Sequence, residues 1–150
     1  MRIRLDISDG QYEAIRCYLE EKGIEIRDDA EFVLSEQKGS SQYLLARDLN
    51  SSEKVVLDVK DILYIESYGH QLEIHTLNKT YLSSEPLYQI EAQLEPKDFI
   101  RINKSAIIAK KKIKEIKPAL SMKFILIMEN NYRLEVTRSY YNSFREAFQI

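Results

Sequence analysis

The densest concentration of chemistry-bearing side chains in this chain is Phe99-Ile100-Arg101-Ile102-Asn103-Lys104-Ser105. Two cations and two short polar side chains stand there in a strand-like stretch, just ahead of the apolar run Ala106-Ile107-Ile108-Ala109. Lys110-Lys111-Lys112 follows directly, with Lys114 and Lys117 close behind. Cations gathered where a strand gives way to loops offer charge and hydrogen bonds to a polyanion, and we read that polyanion as duplex DNA. The charge distribution agrees. Residues 1–100 carry 11 Lys and Arg against 20 Asp and Glu, a net charge of −9, whereas residues 101–150 carry 11 against 4, a net of +7. A polyanion would therefore meet the C-terminal third.

Other chemistries have less to stand on. His70 and His75 lie five residues apart with no cysteine nearby, which argues against a metal site. Cys17 is alone, so neither an internal disulfide nor a multi-thiolate zinc site is expected, and its apolar surroundings suggest a buried small residue. There is no Gly-rich phosphate loop and no Cys–His or Ser–His motif context. Glu66 and His70 can be imagined as an acid–base pair, but nothing supplies an oxyanion site. The expectation is no enzyme, no catalytic residue, no cofactor and no metal. Met1-Arg2-Ile3-Arg4 runs into acids rather than an apolar signal region, and no apolar run approaches the roughly 20 residues of a membrane span. A cytoplasmic protein without membrane insertion follows.

The elements that must position the cations are mostly strands. Near the N-terminus, Ile3, Leu5 and Ile7 alternate with Arg2, Arg4 and Asp6, as in a half-buried strand. Ser8 or Asp9 can cap a helix bearing Tyr12, Ile15, Tyr18 and Leu19, and Gly23 fits its C′ stop. Ile24, Ile26 and Phe32-Val33-Leu34 resume strand character. Residues 1–45 thus read as a small β-α-β unit, short for independent stability and suited to dimerisation or regulation. Gln37–Gln42 is the linker candidate by composition. From residue 50 onward, Val55–Val59, Asp61–Ser67, Leu72–Thr76 and Thr80–Leu82 form a meander of short antiparallel strands. Ser83-Ser84-Glu85-Pro86 opens a helix with Leu87, Ile90 and Leu94 as its apolar stripe, closed by Pro96. Strands return at Phe99–Ala109, Ile113–Ile116, Phe124–Met128 and Tyr132–Val136. Thr137 or Ser139 caps a last helix carrying Tyr140, Phe144 and Phe148. The fold class is mainly β with two short helices, plus the N-terminal β-α-β unit.

Three blocks, Asp61–Ser67, Asp98–Ser105 and Val136–Tyr140, stand in the order and spacing of LytTR-type DNA-binding domains. The chain resembles that bacterial regulator family from roughly Val55 to Phe148. The resemblance implies an elongated stack of antiparallel β-sheets that binds double-stranded DNA through loops, which enter successive major grooves of a bent duplex, often at paired direct repeats. It departs from the family pattern in having Asn103 for the usual histidine, Ala106 for the usual aromatic and Ala109 for the usual asparagine.

By position, the resemblance assigns base contacts to His70, Lys104 and Arg138. Arg138 can donate twice to guanine O6 and N7, a contact worth about 1–3 kcal/mol of discrimination. Lys104 reaches the same acceptors, or a phosphate, as a point charge. His70 donates from a ring nitrogen, and more strongly if protonated. Asn103 can bind adenine at two points, or support the loop from beneath. Ser105, Lys110, Lys111 and Ser139 suit phosphates, which position a protein without reading sequence. Arg101 alternates with apolar residues and can pair with Glu66 or Asp98 as readily as with DNA. The function expected is a sequence-specific transcriptional regulator, a homodimer held partly by residues 1–45 and controlled by a membrane protein or a ligand. The alternative is a non-DNA ligand-sensing or protein-interaction β domain.

Overall fold

The computed structural model describes residues 1–7, 9–35 and 41–150. Compact units divide at Met1–Lys38 and Gly39–Ile150. In the first, β1 (Arg2–Asp6), α1 (Asp9–Glu21), β2 (Glu25–Ile26) and β3 (Phe32–Ser35) form a parallel three-stranded sheet with β1 in the middle. The expected β-α-β connection is β1-α1-β2, with Ile3 opposite Ile26. Gly23, at φ 81°, ends α1: its N–H donates to Glu20 O while Ile24 N–H reaches back to Leu19 O. Those are the two bonds of a Schellman stop.

This unit hardly closes a core. Ile3 is its one buried residue among those described, and α1 buries none of its side chains. Tyr12, Ile15 and Leu19 are half-buried, and Tyr18 is exposed. Cys17 is exposed as well, contrary to the expectation from its neighbours. Two residues beyond Ile15 is about 200° around the helix, so it turns away from the sheet. The cap expected of Ser8 and most of the linker, Gln37–Ser40, lie outside the described residues.

The second unit begins earlier than residue 50. Its first strand, β4 (Tyr43–Asp48), pairs with β5 (Lys54–Asp58). Ser41 N–H and Gln42 O already bond to Gln93 O and Val59 N–H. The chain then folds through β6 (Ile62–Tyr68), β7 (Gln71–Thr76), β8 (Thr80–Ser83), α2 (Leu87–Gln93), β9 (Phe99–Asn103) and β10 (Ala106–Ala109). These strands make one seven-stranded sheet in the order β5-β4-β8-β7-β6-β10-β9. A second, three-stranded sheet consists of β11 (Ile113–Ala119), β12 (Lys123–Met128) and β13 (Arg133–Val136), and the helix α3 (Arg138–Phe148) ends the fold. Mainly antiparallel strands with two short helices in this unit match the expected class.

Strand alternation sends side chains to two cores. Leu44, Ile65 and Ile74 pack with Leu87, Ile90 and Leu94 of α2. Leu63, Ile102 and Ile108 face the other way and meet Leu126, Val136 and Phe144, which joins the two sheets and α3. Each such fully buried side chain contributes about 1.5–3 kcal/mol of transfer free energy. The β9–β10 pair, contributing to both cores, is therefore a rigid base for whatever its turn presents. At α2 the opening differs in detail from expectation. Pro86 is the N-cap residue, and Ser83 Oγ accepts from Glu85 N–H in the turn ahead of the helix, at 3.2 Å.

Candidate nucleic-acid interface

Three turns come to one end of the second unit. The first is the two-residue loop Gly69-His70 between β6 and β7, closed by the Tyr68–Gln71 pair. Gly69 has φ 62° at the first loop position, where a II′ hairpin turn needs the left-handed side of the map. The second is Lys104-Ser105 between β9 and β10, closed by Asn103 opposite Ala106. The third is the step from β13 into α3 at Thr137-Arg138.

Hydrogen bonds knit these turns together. Ser67 N–H donates to Ser105 O at 2.7 Å, joining the first turn to the second. Thr137 N–H donates to Ile102 O at 3.1 Å, and Asn103 Nδ2 donates to Glu135 O at 2.9 Å, joining the second to the third. His70, Lys104, Ser105, Arg138 and Ser139 are all exposed there. Among the described residues, the side chains of His70, Lys104 and Arg138 make no hydrogen bond or ion pair. The backbone beneath them is fixed while their donors stay free.

Asn103 is used differently. Its Oδ1 accepts from Ser105 N–H at 2.8 Å while Nδ2 holds Glu135 O, so both ends of the amide are engaged inside the protein. Arg101 lies under the same turn. Its Nε and Nη2 donate to Asn103 O (3.2 Å) and Lys104 O (2.5 Å), and Nη1 pairs with Glu91 Oε2 at 3.1 Å. The partner is Glu91 of α2, neither Glu66 nor Asp98. Reading along the strand missed it because Glu91 sits on a separate element ten residues earlier.

Lys110 and Lys111 do not share that end. Phe99 opposite Ala109 puts them at the far end of β10, about 13 Å along the strand from Lys104. There Lys110 Nζ donates to Pro96 O at 3.1 Å and its N–H to Asp98 O at 2.8 Å. Lys111 is exposed, with no side-chain hydrogen bond or ion pair among the described residues.

Beside the first turn, an aromatic stack stiffens the sheet. Tyr64 stacks on His75 at 4.5 Å and on Tyr132 at 5.1 Å between ring centroids, and its hydroxyl accepts from Asn130 Nδ2 at 3.0 Å. His75 is half-buried, with Nδ1 near Thr80 Oγ1 (3.2 Å) and Nε2 near Glu73 Oε2 (3.1 Å). It is a packed residue rather than an outward one. Tyr68, next to Gly69, shares a hydrogen with the Tyr132 hydroxyl; that bond, then burial and nearby Glu66, push its pKa well above the ordinary tyrosine value. The phenol stays neutral throughout the physiological range. No group of three or more His, Cys, Asp or Glu that could hold a metal occurs among the described residues. No helix among them is long and apolar enough to cross a membrane.

An antiparallel β scaffold that offers free cations from linked turns defines a loop-presenting β domain. The chain belongs to the LytTR family: the family model described as the LytTr DNA-binding domain matches residues 52–149. That is a DNA-binding family and not an enzyme family. The sensory transduction protein LytT of Bacillus subtilis is 31% identical over 111 residues, covering 74% of this chain and 46% of the relative. The transcriptional regulatory protein LytR of Staphylococcus aureus (strain N315) is 34% identical over 95 residues, 63% of this chain and 39% of the relative. The chain thus spans less than half the length of these curated relatives. A solved LytTr DNA-binding domain from Bacillus cereus superposes with a TM-score of 0.68 at 22% identity, covering 74% of this chain and all of that one, which shows the shared fold.

Proposed function

We propose that this chain is a transcriptional regulator that binds double-stranded DNA sequence-specifically, with the turns bearing His70, Lys104 and Arg138 entering successive major grooves. The observation that carries the reading is the linkage of all three turns at one end, with their side chains unpaired and exposed. Arg138 supplies the two-point guanine contact, Lys104 a point donor to base or phosphate, and His70 a ring donor. Ser105 and Ser139 stand beside them for phosphates. Thr137 makes no side-chain capping bond, and although Tyr140 N–H donates to Thr137 O at 2.9 Å, the Arg138 and Ser139 N–H groups stay available to an anion. Lys111, and Lys110 with its remaining donors, meet phosphates farther along the duplex. For Asn103 we favour the supporting role over the base contact, since a two-point adenine contact would break the bonds at both ends of its amide.

The first unit supports a homodimer. Phe32, Val33 and Leu34, on the edge strand β3, are 64%, 45% and 42% exposed. An uncharged, uncovered edge strand pairs readily with a copy of itself. The same unit is where we place control by a membrane protein or a ligand, and the setting is cytoplasmic.

Selection of bound duplexes from a random pool by the full chain tests the reading. The expected result is recovery of a defined site, with binding that weakens steeply with salt, the slope of log K against log salt being about −0.9 per phosphate contact. Recovery of random sequence at low salt would reduce the reading to non-specific binding. Phe32→Asp should shift the chain toward monomer in analytical ultracentrifugation, and an unchanged distribution would remove β3 from the dimer.

A further inference from the structure

Arg101 ties the β9–β10 turn to α2, two elements that also share the core of Leu87, Ile90, Phe99 and Ile107. Phe99, Arg101 and Ile107 share the sheet face that looks toward α2, as the Arg101–Ile107 register requires. From that face the guanidinium spans outward to the turn, where it collects the carbonyls of Asn103 and Lys104, and inward to α2, where Glu91 neutralises it. Three of its five donors are thereby committed, in the directions a planar fork provides and an ammonium does not. Arg101 is only 24% exposed, against 45% for Glu91. The helix carrying Glu91 is itself fixed by buried Leu87 and Ile90. From the other side, Asn103 ties the same turn to β13.

We propose that Arg101 and Glu91 are positioning residues: they set the β9–β10 turn from α2 and so fix the base preference of Lys104, without contacting DNA themselves. This rests on the reading of Lys104 as a base-contacting residue. The rival role for Arg101 is a phosphate contact, which a partly exposed arginine beside the interface also suits by charge. Glu91 separates the two. As a bare negative charge near a polyanion it opposes binding, so its removal would strengthen binding to every sequence. As the anchor of Arg101 it supports specific binding, so its removal should weaken the match at one base position. The two roles differ in the cognate-to-scrambled ratio, unchanged in the first and lowered in the second.

The test uses the full chain and the duplex selected by it, alongside a scrambled duplex of equal length. Glu91→Ala, Glu91→Gln, Arg101→Ala and Arg101→Lys are titrated over a salt series, with thermal melts confirming that each variant is folded at the assay temperature. The expected result is a fall in the cognate-to-scrambled affinity ratio, on the order of tenfold for Arg101→Ala and smaller for Glu91→Ala, in keeping with a weakened base contact. The salt slope should stay at the wild-type value, and Arg101→Lys should not restore the ratio. In duplexes substituted one base pair at a time, the preference should relax at the position read by Lys104 and persist at the position read by Arg138. A slope lower by about 0.9 in Arg101→Ala would make it a phosphate contact and overturn the proposal. So would tighter binding of Glu91→Ala to both duplexes with an unchanged cognate-to-scrambled ratio, or loss of preference at all positions alike. If Arg101→Ala does not fold, the Glu91 pair decides by the same readouts. A wild-type chain that does not distinguish cognate from scrambled DNA would overturn the DNA-reading role of Lys104 itself, an outcome visible before any variant is compared.

Discussion

The two ends of β10 carry cations on different terms. At the Lys104 end, the turn is held by groups other than the cation: Arg101 from the α2 side, Asn103 toward β13 and Ser67 from β6. The lysine itself is left with nothing to do inside the protein. At the other end, Lys110 spends part of its own ammonium on Pro96 O, and Lys111 projects without any support recorded among the described residues. A cation carried on a braced turn is presented from a fixed backbone and can discriminate between bases. Cations away from that turn can meet phosphates on any sequence. Charge counting along the sequence sees a single basic region; the fold divides it into a cation on a braced turn and cations beyond the far end of β10.

The most severe way to break this contrast is to remove the floor beneath the placed end. Phe144 is fully buried against Phe124 and Phe148 in the core shared with Ile102 and Val136. Phe144→Ala should destabilise the second unit by about 3–5 kcal/mol in denaturant titration, with DNA binding lost together with the fold. A cost below about 1 kcal/mol would mean that α3 is not integral to the base of the turns.

Next in size is Arg138→Ala. Specific affinity should fall by about 1–3 kcal/mol while affinity for scrambled DNA changes far less, in fluorescence anisotropy at fixed salt. Lys111→Ala provides the complementary result: cognate and scrambled duplexes weaken alike, and the log–log salt slope drops by about 0.9. If the two variants behaved identically, the division between base-reading and phosphate-binding cations would fail.

The smallest expected effect lies away from both ends and checks that they, rather than the scaffold generally, carry the binding. Asp48 accepts from Asn50 and Ser51 N–H in the β4–β5 hairpin, and those bonds hold its carboxyl below the usual aspartate range. Because the folded pKa is the depressed one, the stabilisation is present above the unfolded value near 3.9 and fades as pH falls through the folded value. Asp48→Ala should therefore lower the melting temperature slightly at pH 7 and lose that difference in acid, with the DNA specificity ratio unchanged. A difference that persisted undiminished at low pH would contradict the carboxylate's role.

Much of this architecture could be read from residue patterns because its causes are local. The Leu87–Ile90–Leu94 stripe and the Tyr140–Phe144–Phe148 stripe are helical periodicities, and both face core as expected. Gly23 ends its helix for a conformational reason that one residue suffices to state. What escaped the sequence depends on partners far apart in the chain. Arg101 meets Glu91 across a helix-to-strand packing, so charge alternation in β9 could not distinguish Glu91 from Glu66 or Asp98. Asn103 finds Glu135 O only because β13 returns beside β9. Cys17 shows the opposite error: apolar neighbours in sequence do not share its direction on a helix that covers so little of its sheet. The start of the second unit was similarly obscured: a strand at Leu44-Leu45-Ala46 can be read from the residues, but its place between β5 and β8 depends on partners later in the chain.

Backbone amide NMR of the full chain, titrated with the duplex it selects, tests the central claim most directly. The account predicts that the signals shifting most belong to Gly69-His70, Lys104-Ser105 and Arg138-Ser139, together and with one binding curve. Shifts concentrated elsewhere on the sheet, with any of those three turns unmoved at saturation, would contradict it.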